Sequence, residues 1–183
     1  MLFYRAILLI LSTVIIVAAA DVRAETAEQA VYRGIAARLE LMQPVAAWKL
    51  ENGAPVEDLA REQIVLENAA ADAGAAGLDA ATTLPFIQAQ MDAAKEIQEC
   101  WMLRWQAGET IPSPVPDLVN DIRPKLLEIG GGQLGDIEAA LASGANFDAN
   151  QAEAFAAAVD PDCLSHSSRE RIFQELSRLQ LAQ

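Results

Sequence analysis

The chain has 183 residues, enough for one domain with a real core, and its 13 Lys and Arg stand against 26 Asp and Glu for a net charge of −13. That balance argues against a nucleic-acid binder, whose phosphate contacts need basic surface. The composition is 52% hydrophobic but only 5% aromatic, and its wealth of Ala, Leu, Glu, Gln and Arg points to an all-α domain.

In chain order, residues 1–24 read as a secretory signal. Arg5 precedes an apolar run over Ala6–Ala20 broken only by Ser12 and Thr13, and Val22-Arg23-Ala24 fits a small-residue cleavage site after Ala24. About 15 apolar residues are short for a membrane span and suit a signal segment. The expectation is a periplasmic or secreted protein with no stable membrane association after cleavage; an uncleaved anchor is the other reading. Removing Arg5, Arg23 and Asp21 with that segment leaves 11 cations and 25 carboxylates over 25–183, net −14.

A first helix is predicted over Ala27–Asn52, with Val31, Ile35, Leu39 and Met42 at apolar spacing and a kink or restart at Pro44. Asn52-Gly53 is a stop signal. A second helix spans Val56–Ala76, with Pro55 before it and Glu57 and Asp58 in its first turn. A third spans Leu84–Ala107 with Pro85 in its first turn. Pro112, Pro114 and Pro116 mark an extended connection. A fourth helix covers Asp117–Ile129, with Pro124 marking a kink and Gly130-Gly131-Gly132 closing it. Shorter helices follow at Leu134–Ser143, Asn150–Val159 and Ser167–Leu181, giving six or seven helices around one core.

Several polar residues interrupt the apolar stripes. Arg38 and Lys49 are 11 residues apart, about 20° from eclipsed and about 16 Å apart if the helix continues. That gap suits a small molecule with an anionic group at each end, and equally two unrelated surface cations. Asp58 and Glu62 continue the face of Val65, Leu66 and Ala69, with Arg61 one turn away; a plain acidic first turn has the same spacing. Gln98 lies among Ala94, Trp101 and Trp105, and a buried amide without partners costs about 1–3 kcal/mol, so it needs a neighbouring helix or a ligand. Cys100 and Cys163 either pair, closing a loop worth roughly 4 kcal/mol, or leave Cys100 a buried thiol. Their spacing supports no metal site, and the sole histidine, His166, reads as a solvated helix-start residue. Spacing alone ends at a helical exported protein with an anion pocket.

The order Arg-x10-Lys, Asp-x-x-Arg-Glu, Ala-Lys-x-Ile-Gln and Asp-Leu…Ile-Arg-Pro resembles the exported all-helical chorismate mutases over roughly 27–128, most specifically in PVAAWK (44–49) and AAKEIQ (93–98). The resemblance implies a chorismate mutase domain over 25–183, its catalytic part about 27–128 and a helical C-terminal extension about 133–183. It implies an isomerase that rearranges chorismate to prephenate in the synthesis of aromatic amino acids, with no metal or organic cofactor, as a homodimer with one pocket per subunit. Carried over by position, Lys49 and Gln98 resemble the donors to the substrate's ether oxygen. Arg38 resembles a carboxylate-binding arginine and Arg61 a supporting one. Asp58 and Glu62 resemble acceptors for the ring hydroxyl, and Arg123 the arginine that completes the pocket within one subunit. Ala94 and Val65 depart from relatives with Ser or Thr and with Gln. The alternative reading is a non-enzymatic exported adaptor or binder of an anionic metabolite.

Overall fold

The computed structural model describes residues 25–183; the expected signal segment lies outside them. Seven α-helices are described: α1 Ala27–Glu40, α2 Met42–Asn52, α3 Leu59–Ala75, α4 Ala80–Gln106, α5 Arg123–Ala142, α6 Ala152–Ala158 and α7 His166–Leu176. A π-helical turn, Leu118–Ile122, leads into α5, and a 3₁₀ turn, Ala149–Gln151, leads into α6. The all-α expectation holds.

Side-chain caps set the starts of α1, α3 and α4. Thr26 caps α1 in a capping box with Gln29, satisfying two otherwise free backbone donors. Asp79 caps α4 by accepting from Ala81 N, and the Thr82 and Thr83 hydroxyls bond back to the Asp79 carbonyl. This local chemistry starts α4 four residues before the expected Leu84, and Pro85 is absorbed inside the helix. Asp58 caps α3 from outside rather than standing in its first turn.

The break in the first predicted helix falls at Leu41, three residues before Pro44. A proline disrupts the turn N-terminal to itself, because its missing N–H and its ring both act on residue i−4. Gly53 ends α2 in the left-handed conformation, φ 60°, which glycine adopts without a Cβ penalty.

The 27-residue α4 is the central helix: α2, α3 and α7 all pack on it, and α1 runs along α5. Tyr32, Ile35, Leu39, Phe86, Ile97, Ile137, Phe155 and Ile172 are fully buried in one continuous core. The glycine run does not end a helix: α5 continues through Gly130–Gly132 to Ala142. Leu134, Ile137 and Ala140 bury its C-terminal half, and packing outweighs the weak propensity of glycine. Close approach helps. A Cβ on Gly34 of α1 would lie 3.7 Å from Gln133 Cβ, and Gln133 exchanges amide bonds with Gln90 of α4 at 3.2 and 3.3 Å.

The tail is tied to α4 in three ways. A disulfide joins Cys100 to Cys163, 63 residues apart. Glu96 accepts from Ser165 N and the Ser168 hydroxyl at the start of α7. The last residues leave the helix at Leu176, earlier than the expected Leu181, and pair with the segment before α4: Asp79 N donates to Gln180 O and Ala182 N to Gly77 O.

Candidate active site

A cavity of about 240 Å³ opens among α1–α5 and the π-turn. Arg38, Lys49, Arg61, Gln98 and Arg123, which five separate helices supply, all line it, as do Asp58, Glu62 and Ala94. The break at Leu41 leaves Arg38 and Lys49 facing the same space. Val45, Met42, Val65, Ile87 and Met91 make the apolar part of the wall.

The cations differ in how they are held. Arg38 Nε is buried without a hydrogen-bond partner, although the residue as a whole is only partly covered, and burial pulls its guanidinium below the ordinary value. Lys49 donates from Nζ to the Val56 carbonyl at 2.7 Å. Burial is the main influence lowering its pKa; Asp58 and Glu62 push it back up and Arg123 adds to the lowering. Arg123 opens α5 directly after the π-turn, a turn that Asp117 caps by accepting from Val119 N and Asn120 N. Among the described residues none of Arg38, Lys49, Arg61 and Arg123 is in an ion pair with a carboxylate. Unpaired cations taken from water are costly, so a cavity that gathers four of them is built for an anion.

Gln98 is 5% exposed. Its Nε2 donates to Ala94 O at 2.9 Å and lies 3.6 Å from Met42 Sδ, while Oε1 has no partner. One N–H is therefore satisfied by the helix and the other meets only a weak thioether acceptor, so it is free for a ligand oxygen. Ala94 offers the cavity a methyl group and no side-chain hydrogen bond.

Lining residues that the sequence reading passed over are Lys95, Asp72, Asn68 and Gln133. Asp72 continues the three- and four-residue spacing of Glu62, Val65 and Ala69, a legible signal. Lys95 sits in the AAKEIQ string, but its partner Glu62, 3.0 Å away, is 33 residues distant in sequence. That hydrogen bond is the main cause raising the Lys95 pKa. With Lys95 the wall carries five cations, Arg38, Lys49, Arg61, Lys95 and Arg123, against the carboxylates of Asp58, Glu62 and Asp72. A chain of net charge −13 thus surrounds this space with an excess of two positive charges.

The sequence profile of the family described as Chorismate mutase type II matches residues 22–99. A monofunctional chorismate mutase of Enterobacter agglomerans is 33% identical over 143 residues, 78% of each chain. This chain belongs to the chorismate mutase family. The crystal structure of the secreted chorismate mutase from Yersinia pestis superposes with a TM-score of 0.76 at 27% identity, covering 82% of this chain and 97% of that one. The chorismate mutase from Burkholderia thailandensis gives 0.67 at 25% identity, covering 84% and 98%. A chorismate mutase is an isomerase: it rearranges chorismate to prephenate within one molecule, breaking a C–O bond as a C–C bond forms. Family membership turns the anion-binder reading into an enzyme reading.

Proposed function

We propose that this cavity is where chorismate rearranges, and that Arg38, Lys49, Arg61, Arg123 and Gln98 do the work together. Their convergence on one space with two surplus positive charges carries the proposal, because chorismate is a dianion. The reaction transfers no proton and needs no nucleophile. The protein has to fold a flexible ether into its chair-like reactive shape and stabilise charge growing on the ether oxygen, which are orientation and electrostatic preorganisation. Lys49 Nζ and the spare Gln98 N–H serve the ether oxygen. Arg38, with Arg61 and Arg123 in support, takes the carboxylates. Asp58 and Glu62 accept from the ring hydroxyl. The apolar wall excludes water, which strengthens each of these contacts.

Residues 1–24 act as an export signal cut after Ala24, placing residues 25–183 in the periplasm or outside the cell; the secreted relative from Yersinia pestis and the disulfide support this. One pocket per subunit is supported by the fact that one chain supplies the whole lining described above, and the family resemblance adds that two such subunits form a homodimer. Light scattering at twice the chain mass tests the dimer. The purified protein is to be assayed with chorismate by loss of its ultraviolet absorbance and by acid conversion of the product to phenylpyruvate. Turnover that disappears in Lys49→Met is the expected result; unchanged turnover in that variant overturns the assignment of the site.

A further inference from the structure

Among the described residues, Lys95 is the lining cation with a carboxylate partner. Its Nζ holds Glu62 Oε2 at 3.0 Å, with the two side chains 24% and 19% exposed. Asp92 grips the same ammonium at 3.5 Å, one turn back along α4, and its other oxygen meets Arg171 of α7 at 2.9 Å. Gln88 also donates to Asp92. Arg171 thus answers the charge of Asp92, and Lys95 is left to answer Glu62. Across the cavity, Glu62 is near enough to Lys49 to act on it electrostatically.

We propose that Lys95 is a positioning residue for the rearrangement: it fixes Glu62 by Oε2, turns Oε1 toward the substrate's ring hydroxyl, and keeps that carboxylate from neutralising Lys49. The inference rests on the site assignment above. A carboxylate has two acceptor edges, and a pinned one presents the other in a single direction. Freed, Glu62 has unpaired cations to swing toward, Lys49 among them. Removing the Lys95 charge also cuts the positive excess of the wall from two to one, half of what a dicarboxylate ligand requires.

Steady-state kinetics of the full protein test this through a second charge. Lys95→Met is expected to raise KM at least about tenfold, the order set by one unit charge within about 12 Å in an effective dielectric of about 20. Adding Glu62→Gln to Lys95→Met restores the charge excess but not the pinned acceptor, so KM is expected to fall below that of the single variant without reaching the parental value. Lys95→Arg keeps both charge and partner and is expected to stay near the parental KM. A lysine that served only the fold would lower the melting temperature and leave the KM of the folded enzyme at the parental value. Parental KM in Lys95→Met, or a double variant no better than the single one, overturns the inference; Lys95→Gln supplies the same comparison should the Met variant melt below the assay temperature. Lys49→Met separates the two levels. Full turnover there brings down the site assignment, whereas lost turnover there with parental KM in Lys95→Met brings down only the role of Lys95.

Discussion

Lys49→Met should damage the enzyme and stabilise the protein. Lys49 is half-buried, its ammonium bonds one neutral carbonyl, and no carboxylate pairs with it directly. Losing one preorganised donor at a developing oxyanion costs about 3 kcal/mol, roughly a hundredfold to a thousandfold in turnover. The same charge burdens the folded state. Burial depresses the folded pKa below the ordinary 10.5. Between the depressed value and 10.5 the unfolded chain holds a proton that the folded chain lacks, so stability rises as pH climbs through that window and is lowest where the ammonium is fully charged. Replacing a poorly compensated charge by an apolar chain of similar length is worth about 1 kcal/mol, or roughly 2–4 °C in melting temperature at this chain length. The Val56 carbonyl released by the change lies in a half-buried loop where water can replace the ammonium. Thermal unfolding by circular dichroism, beside the chorismate assay, reads both effects. A variant that melts several degrees lower would refute the argument that catalysis keeps this charge at the expense of the fold.

The remaining predictions concern pH, the disulfide and the glycine run. Turnover of the parent should stay level from neutral pH upward until Lys49 loses its proton below 10.5, because Gln98 does not titrate; Gln98→Glu should be active only toward acid pH, where the carboxyl is protonated and can donate, and a flat profile for that variant would contradict the role of Gln98. Reducing Cys100–Cys163 opens a loop spanning 63 residues and should cost about 4 kcal/mol, a fall of roughly 10 °C in melting temperature. Neither cysteine lines the cavity, so cold-assayed turnover should survive reduction. Gly132→Ala places its Cβ in open space outside the cavity lining and should stabilise α5 by about 0.5–1 kcal/mol with turnover unchanged.

Much of the site was readable because helices are periodic. Arg38 and Lys49 could be placed on one face by counting, and Gln98 declared itself as an amide in an apolar stripe. What escaped the sequence depends on through-space partners. Lys95 had no assigned role in the AAKEIQ string; its partner Glu62 arrives from α3, 33 residues away in sequence. Gly130–Gly132 read as a stop because glycine is a poor helix former; only the pressure of α1 on α5, with Gly34 against Gln133, keeps that stretch helical. Asp58 lines the cavity but lies on the other side of the helix boundary from the expectation, since a capping aspartate and a first-turn aspartate look alike in sequence.

Helix α3 supplies Asp58, Arg61 and Glu62 to the cavity, yet the only residues it buries fully are Ala69 and Ala73, and Leu59 and Ile64 stand in solvent. Val65 and Leu66 are partly covered against the core, so the lightly anchored part of this wall is the first turns of α3. Weakly anchored helices open by local unfolding well below the global free energy. The Leu59–Ile64 end of α3 is therefore the part of the cavity wall expected to exchange its backbone amide protons first.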